Sequence, residues 1–520
     1  MSATSPRPTP GSGSGQVSVP GHSQQPAVAL PAIQSVIQPV IPAVIPAVTT
    51  PNDEPAAPEG IAGTSFGSRR FHFVGVGGSG MSGLARLLAG IGGIVSGSDS
   101  AGGAVVDGLV EEGHDVWNGC QTARIVGADG YVIRSAAVPL ADAEVQQCVR
   151  QGFTSLLYAE AVGRLSEGRR TLAIGGTHGK TSTTGLTVAA LRGAGRDPSH
   201  LIGGEVPELG GNGYGGKGAG FVVEACEFNR SFHNLRPFGA AILNLDHDHF
   251  DCYPSTDELI EAFAGYLARV RPGGTALVEE TVPKAVLSSL RSDVEILTVG
   301  SGLWADIRAV DVVEKLGCFS FDPVLLGERM PRINMSMVGR HNMLNGMFAL
   351  GLAHIAGANM AGACEGISNF GGVRRRYEIH EGPAGGMLVN DYAHHPAEIE
   401  AVLAASRRRF PGKRLLVVFQ PHQYQRTLFL LDAFALALAQ ADTTLVAEIY
   451  GARETDEIMA SVSAGDLVNG VREHGCDAHY AGPVGGLAKV VAEHRRAGDV
   501  VMVLGAGDID TAVEDIVAGL

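Results

Sequence analysis

The chain has 520 residues, enough for about three domains of roughly 100 to 200 residues each. Its composition, 45% hydrophobic and 18% charged with 72 glycines, is typical of a glycine-rich α/β protein and disfavours a fibrous or wholly disordered chain. The net charge of -15 argues against nonspecific binding to nucleic acid or anionic membranes, because both need a basic surface.

The amino-terminal segment, residues 1–66, is rich in Pro, Ser, Gly, Gln and Val and has no charged residue between Arg7 and Asp53. Prolines interrupt its apolar part at Pro31, Pro39, Pro42 and Pro46. Because proline breaks a helix, neither a membrane-spanning helix nor a signal peptide can run through it, and we expect no membrane insertion. The pattern predicts a disordered, polyproline-like tail, and the alternative is a partner-binding segment.

A strand is predicted from Arg70 in RFHFV, followed by a glycine turn and a helix-like MSGLARLLAGIGG. Gly75, Gly77 and Gly80 have the G-x-G-x-x-G spacing of a dinucleotide-binding turn, and the next strand, IVSGSD, ends at Asp99. The spacing alone supports NAD binding, with a turn that serves only packing as the alternative. Alternating strand and helix patterns, YVIRSAA and then a helix from Asp142 to Gln151, continue to about residue 165, which predicts a doubly wound sheet.

A second glycine turn lies in residues 172–184, LAIGGTHGKTSTT. An apolar strand, a glycine loop and a helix follow one another, which is the order of a nucleotide triphosphate site. Lys180 would contact the phosphates and Thr181 would offer its hydroxyl to Mg²⁺. The loop is shorter than G-x-x-x-x-G-K-[ST], so an ordinary glycine turn is the alternative.

Two apolar strands downstream end in acids. GFVVEACE contains Glu224 and Glu227, and AAILNLD ends at Asp246 and continues into HDHFD. Ligands collect at the carboxyl ends of parallel strands, so Glu224 and His249 are candidate metal ligands. Histidine is not the usual Mg²⁺ ligand, and a solvated loop is the alternative for His249.

Further polar groups stand at predicted helix starts and strand ends. Asn342 and Asn345 begin an apolar helix, where they would face a base or cap the helix. From Gly372 onward a basic run, VRRRYE, precedes the strands of LVNDYAHHP, LLVVFQPHQYQRT, TTLVAEIY and VVMVLGAGDID. This regularity predicts a second doubly wound domain with functional groups along its carboxyl edge.

Seven cysteines are scattered without a C-x-x-C pair, at Cys120, Cys148, Cys226, Cys252, Cys318, Cys364 and Cys476. This pattern indicates a reducing cytoplasm and neither a disulfide framework nor a structural zinc site.

Taken together, several segments resemble the Mur ligases: GVGGSGMSG with SGSD, GGTHGKTST, VVEACE with LNLDHDHFD, GRHNMLN, VRRRYE, NDYAHHP, FQPHQYQRT and GAGDI. They stand in the family's order across about residues 69 to 520. The resemblance implies an α/β fold of three domains behind the tail. These are a Rossmann-like UDP-sugar domain (67–165), a central P-loop-type ATPase domain with a mostly parallel sheet (166–371) and a Rossmann-like amino-acid domain (372–520).

The resemblance also implies roles for individual residues, and it reassigns the first glycine turn from NAD to a UDP-sugar. The UDP-sugar positions are Gly75, Gly77, Gly78, Ser79, Gly80, Met81, Ser82, Asp99 and Ser135. The ATP positions are Gly176, Thr177, His178, Gly179, Lys180, Thr181, Ser182, His341, Asn345, Arg376 and Asp391. The metal positions, for two Mg²⁺ ions, are Thr181, Glu224 and His249. The catalytic positions are Lys180, His394 and Arg426, of which the last two face the amino acid.

The implied activity is ATP-driven ligation of L-alanine to the lactyl carboxylate of UDP-N-acetylmuramate through an acyl phosphate, by a cytoplasmic monomer or homodimer with no nucleic-acid partner. One alternative is a murein tripeptide ligase, which attaches a preformed tripeptide to the same UDP-sugar. A more distant alternative is an NAD(P)-dependent oxidoreductase.

The chain departs from the family pattern in three places. Cys226 and Asn229 replace two acids, Gln423 stands where some relatives carry arginine, and Val338 replaces a proline. These departures leave Glu224 in place and make Arg426 the expected partner of the amino-acid carboxylate.

Overall fold

The structure, a computed structural model, describes residues 69–127, 129–246, 252–253, 255–451 and 454–520. The predicted tail and the candidate metal ligand His249 lie outside these residues. The described chain forms three successive sheets, each mostly or wholly parallel, which confirms the predicted α/β fold class.

The first sheet has five parallel strands in the order β3-β2-β1-β4-β5, the order of a doubly wound nucleotide-binding unit. Its strands are β1 (Arg70–Val74), β2 (Ile94–Asp99), β3 (Asp115–Asn118), β4 (Gly130–Arg134) and β5 (Thr154–Leu157). Its helices are α1 (Ser79–Gly90), α2 (Ala104–Glu111), α3 (Ala143–Arg150) and α4 (Tyr158–Glu167).

The central sheet has eleven strands, and β6 lies between β9 and β10 in its parallel part. The strands are β6 (Arg170–Gly175), β7 (Ser199–Leu201), β8 (Gly213–Tyr214), β9 (Gly220–Glu224), β10 (Gly239–Ile242), β11 (Thr275–Glu279), β12 (Glu295–Gly300), β13 (Ile307–Lys315), β14 (Cys318–Leu325), β15 (Glu328–Arg329) and β16 (Ile333–Val338). The helices are α5 (Lys180–Gly193), α6 (Thr256–Leu267), α7 (Arg340–Ile355) and α8 (Met360–Asn369). Strands β14 to β16 extend the sheet in antiparallel pairing.

The third sheet has six strands in the order β17-β18-β22-β19-β20-β21, parallel except for the edge strand β17. The strands are β17 (Glu378–Glu381), β18 (Met387–Asp391), β19 (Leu415–Phe419), β20 (Thr443–Ala447), β21 (Asp477–Gly482) and β22 (Val500–Leu504). The helices are α9 (Pro396–Arg409), α10 (Tyr424–Phe429), α11 (Leu431–Leu438), α12 (Asp456–Met459), α13 (Ala464–Glu473), α14 (Leu487–His494) and α15 (Val513–Ala518).

The inner strands of the second and third sheets are buried on both faces. Every residue of β10, β19, β20 and β22 is buried, as expected of apolar runs in parallel sheets covered by helices. Because β6, β9 and β10 are parallel neighbours, the segments that follow them meet at one edge of the central sheet. Within the described ranges, no helix has the length and apolarity needed to cross a membrane.

Candidate functional site

The loop between β6 and α5 depends on two glycines with positive φ, Gly176 at 138° and Gly179 at 81°. The backbone conformation at Gly179 favours glycine, and a Cβ there would lie 2.8 Å from Asn345 Oδ1 and would displace that amide. Helix α5 begins at Lys180, immediately after the loop. Its first backbone N–H groups therefore point into the loop, an arrangement that favours anions such as phosphate.

The ammonium of Lys180 lies inside this loop. It donates to the carbonyl oxygens of Gly176 at 2.7 Å and Thr177 at 2.9 Å, and it pairs with Glu227 Oε1 at 2.9 Å. Burial alone would lower the pKa of Lys180, but the nearby carboxylates of Glu227 and Glu224 outweigh it and raise the pKa. Lys180 is therefore a cation held at the position where phosphate oxygens would enter.

Thr181 and Glu224, two of the three predicted metal ligands, are in contact. The Thr181 hydroxyl lies 3.0 and 3.2 Å from the two carboxylate oxygens of Glu224, which also accepts the Gly203 N–H at 2.8 Å. In the described parts of the chain no group of three His, Cys, Asp or Glu side chains is arranged around a metal position. A hydroxyl beside a carboxylate is nevertheless a donor set that suits Mg²⁺, so these two residues fit the predicted ion.

The loop is also fixed to the segment that follows β10. Thr177 Oγ1 and Asp246 exchange hydrogen bonds of 2.9 Å, and Asn244 bonds the backbone of His178 in both directions at 2.8 and 3.0 Å. Because β10 is the direct neighbour of β6, these contacts connect the loop to the end of the adjacent strand.

His178 connects the loop to the third α/β unit. Its Nδ1 lies 3.0 Å from Glu398 Oε1 in α9, and its Nε2 lies 3.2 Å from Asp246 Oδ2. Burial alone would lower the pKa of His178, but the two carboxylates raise it to about 9. His178 is therefore an imidazolium at neutral pH, held between two units of the chain.

The His178 ion pairs predict a pH-dependent stability. The folded pKa of about 9 exceeds the ordinary value of about 6.5, so the contribution is complete below about pH 6.5 and is lost as pH rises through 9. We expect the unfolding midpoints of wild type and His178→Gln to differ most near pH 6.5 and to converge towards pH 10. Thermal unfolding across this range measures the difference, with the exposed His474→Gln as control. A difference that does not depend on pH would contradict the prediction.

A cavity of about 230 Å³ lies beside the loop, between the central sheet and α9. It gathers predicted ATP positions from distant parts of the chain; its lining includes His178, Gly179, Ser182, His341, Arg376 and Asp391. Burial lowers the pKa of His341 to about 4, so this imidazole is neutral. Asn345 donates to Asn342 Oδ1 at 3.0 Å, and Asn342 lies 3.2 Å from His341 Nε2, so the two amides and the histidine form one polar group.

Asp391 and Arg376 lie on the third unit's side of this cavity. Asp391 accepts the N–H groups of Tyr377 and Ala393, both at 2.7 Å, and burial raises its pKa to about 6. The guanidinium of Arg376 stands 4.8 Å above the ring of Tyr392. Backbone bonds thus fix the carboxylate, while the arginine is positioned by an aromatic ring.

The predicted amino-acid residues cluster at the carboxyl edge of the third sheet. The ring of His394 lies 6.2 Å from that of His422, whose Nδ1 lies 3.3 Å from the buried guanidinium of Arg426. His422 also stacks on Tyr450 at 5.5 Å. Gln423 has an unusual φ of 70° for a residue other than glycine and precedes α10.

The first glycine turn is closed by contacts with its own sheet. The Gly77 N–H and the Ala101 N–H both donate to the carboxylate of Asp99, at 2.8 and 2.9 Å. A Cβ on Gly75 would lie 3.1 Å from Ser135 Oγ, so this serine packs directly on the turn. Asp99 therefore holds the turn in shape, a contact that the spacing alone did not predict.

The residues at the start of α1 contact the central unit on one side and the core of the first unit on the other. Gly78 and Ser79 are exposed, and the Ser79 hydroxyl donates to the Gly203 carbonyl of the central unit at 3.4 Å. Gly80 packs on Tyr158, where a Cβ would lie 3.0 Å from the ring. Met81 is buried in the core, as is Ser82, whose hydroxyl donates to the Ser79 carbonyl and lies 3.3 Å from the Asn212 amide.

A larger cleft of about 630 Å³ brings the three units together. Its lining includes Ser79 from the first unit, Thr181 and Glu224 from the second, and Arg376, Tyr392 and Asp510 from the third. This one space is therefore bordered by the glycine turn (residues 75–80), by the loop between β6 and α5, which we name the phosphate loop, and by the basic run (residues 373–376). Reactants held by different units can meet in this cleft.

Several residues of this site were not among the predicted site positions, including Glu227, Asn244 and Glu398. The sequence identifies Glu227 only as an acid after an apolar strand, because its pairing with Lys180 depends on β9 lying beside β6. Glu398 stands at the third position of α9, where it also accepts backbone N–H groups at the helix start. That capping pattern is visible in the sequence, but it predicts a helix start and not a contact with residue 178.

Three successive α/β units whose loops open on one shared cleft are the architecture of a multidomain nucleotide-binding enzyme. Three family descriptions match the chain in order: "Mur ligase family, catalytic domain" over residues 70–170, "Mur ligase middle domain" over 174–353 and "Mur ligase, glutamate ligase domain" over 375–507. The chain belongs to the Mur ligase family.

Curated relatives match most of the chain. The UDP-N-acetylmuramate–L-alanine ligase of Caldanaerobacter subterraneus is 35% identical over 445 residues, covering 85% of this chain and 95% of the relative. The enzyme of the same name from Mycobacterium marinum is 36% identical over 467 residues, covering 87% and 95%.

Solved structures show the same fold. The UDP-N-acetylmuramate-alanine ligase of Thermotoga maritima matches with a TM-score of 0.71 at 24% identity, covering 86% of this chain and 98% of that chain. A murein peptide ligase from Psychrobacter arcticus matches with a TM-score of 0.64 at 22% identity, covering 87% and 98%.

Proposed function

We propose that this protein is an ATP-dependent ligase that joins L-alanine to the lactyl carboxylate of UDP-N-acetylmuramate. The observation that carries the proposal is that the Thr181–Glu224 pair and Arg376 line one cleft between the units, next to the loop that holds Lys180. The names of the curated relatives support the two substrates, and the high coverage of those relatives supports the transfer of a whole reaction.

The first step is activation of a carboxylate. A lactyl carboxylate oxygen of the UDP-sugar attacks the γ-phosphorus of ATP, and the bond from that phosphorus to the bridging oxygen breaks. ADP departs, and the UDP-sugar now carries an acyl phosphate. Lys180, held by the loop carbonyls, would neutralise negative charge on the transferring phosphoryl group. Thr181 and Glu224 would hold Mg²⁺, which when bound stabilises charge on phosphate oxygens. His249 remains the proposed ligand of a second ion.

The second step forms the amide. The amine of alanine attacks the acyl carbon, the bond to the phosphate oxygen breaks, and inorganic phosphate leaves. Arg426, buried beside His422, would bind the alanine carboxylate, and His394 would accept a proton from the ammonium. The UDP moiety would lie along the turn from Gly75 to Gly80, at the start of α1.

Phosphate release tests this function. The assay contains UDP-N-acetylmuramate and ATP and compares L-alanine, L-serine, glycine and the murein tripeptide. We expect release that depends on L-alanine. Release that instead requires the tripeptide would replace the proposal with the murein tripeptide ligase, and the absence of release with every amine would overturn both.

A further inference from the structure

Glu398 touches two parts of the proposed active site with one carboxylate. Its Oε1 lies 3.0 Å from His178 Nδ1 in the phosphate loop. Its Oε2 accepts the backbone N–H of His394 at 3.0 Å and of His395 at 3.3 Å, and it lies 3.3 Å from His394 Nδ1. Oε1 therefore faces His178 of the central unit, and Oε2 faces His394 of the third unit.

The charge state of Glu398 suits this double role. Burial alone would raise its pKa, but His394, His178 and Arg376 outweigh burial and hold the pKa well below the usual range for glutamate. The carboxylate is therefore ionised and acts only as an acceptor. Each of its contacts must come from a donor, which fixes the proton on His178 Nδ1.

The same logic fixes the tautomer of His394. Its Nδ1 lies 3.0 Å from the Tyr392 carbonyl oxygen and 3.3 Å from Glu398 Oε2, and both partners are acceptors. Nδ1 therefore carries the hydrogen, and in the neutral ring the lone pair is on Nε2. Only that tautomer lets Nε2 accept a proton. Glu398 and the Tyr392 carbonyl thus together orient the proposed base, the role that an aspartate has for the histidine of a serine-protease triad.

We propose that Glu398 is a positioning residue that couples the phosphate loop, through His178, to the orientation of His394 in the amine step. The inference rests on the proposed ligase function. Because Glu398 contacts both His178 and His394, we expect a change at His178 to alter the use of L-alanine. A residue that served only to start α9 would leave no such effect across the cleft.

A double-mutant cycle on the full-length protein tests the coupling. The variants are His178→Gln, Glu398→Gln and the two combined, with kcat and KM measured separately for ATP and L-alanine. We expect each single variant to lower kcat/KM for L-alanine at saturating ATP by about 5-fold or more, the scale of typical coupling energies. The double variant should lose no more than the more impaired single variant, because both changes break one connection.

Controls separate coupling from folding and from the reaction itself. Glu400→Gln changes an exposed acid of the same helix and should leave kcat/KM for L-alanine unchanged. Unfolding midpoints show whether each variant is folded, and His178→Gln alone gives the cross-site result if Glu398→Gln does not fold. The inference would be overturned if the reductions in kcat/KM for L-alanine multiplied in the double variant. It would also be overturned if His178→Gln changed only the kinetic constants for ATP. Either result would leave the ligase function intact. A wild type without alanine-dependent turnover would overturn both.

Discussion

Replacing Lys180 with methionine is expected to reduce ATP-dependent phosphate release by about 10²- to 10³-fold or more. The removal of one preorganised hydrogen-bond donor to a charged transition state reduces turnover by a factor of about this size. Lys180 is the cation inside the phosphate loop, held there by the carbonyls of Gly176 and Thr177. Methionine keeps the length and apolar bulk of the side chain, so the loop can retain its packing without the charge. Initial rates of phosphate release at saturating substrates measure the effect.

The control for this variant follows from the partner of Lys180. Glu227 is only 2% exposed, and removing one partner of a buried ion pair costs about 3 to 5 kcal/mol. The double variant Lys180→Met with Glu227→Gln removes that cost. We expect the double variant to recover the unfolding midpoint of the wild type but not its activity. Near-normal phosphate release by either folded variant would contradict the assignment of the loop.

Replacing Glu224 with glutamine should produce the second large effect, a loss of about 10²-fold in turnover at low Mg²⁺ that higher Mg²⁺ partly restores. Glutamine preserves the shape, but it removes the negative charge next to the Thr181 hydroxyl, and Mg²⁺ prefers charged oxygen ligands. Phosphate release measured against Mg²⁺ concentration should shift to higher concentrations.

A matched control exists in the same sheet. Glu280 also follows a strand and accepts backbone N–H groups, those of Ser301 and Gly302. Glu280→Gln should therefore show how much stability is lost when a carboxylate that binds loop N–H groups is removed. Its phosphate release should depend on Mg²⁺ concentration as in the wild type. If Glu224→Gln had the same Mg²⁺ dependence as the wild type, Glu224 would not be a ligand.

Local patterns predicted much of the fold. The second strand was predicted as IVSGSD and is observed as Ile94–Asp99, and the helix predicted from Asp142 to Gln151 is observed as Ala143–Arg150 with Asp142 as its cap. These features depend on short-range spacing and capping. The antiparallel strands β14 to β16 were not predicted, because the strands with which they pair are defined only in the folded sheet.

The site shows the same division. Glycine spacing predicted the loop between β6 and α5, and acids at strand ends predicted that Glu224 would lie near Thr181, as it does. The binding of phosphate and metal there stays a prediction. The His178–Glu398 contact joins residues separated by 220 positions, and no local pattern indicates it. Asp99 was predicted to contact the UDP-sugar, which stays a prediction. In the structure its carboxylate accepts the backbone N–H groups of Gly77 and Ala101, contacts that the spacing did not indicate.

The central claim is that the loop activates a carboxylate through ATP and does not merely hydrolyse nucleotide. Isotope transfer during the L-alanine-dependent phosphate assay tests it directly, with UDP-N-acetylmuramate carrying ¹⁸O in both lactyl carboxylate oxygens. We predict that each released phosphate contains one ¹⁸O atom, because the attacking carboxylate oxygen leaves with the phosphate. Phosphate without ¹⁸O, in a reaction that consumes ATP, would contradict the account.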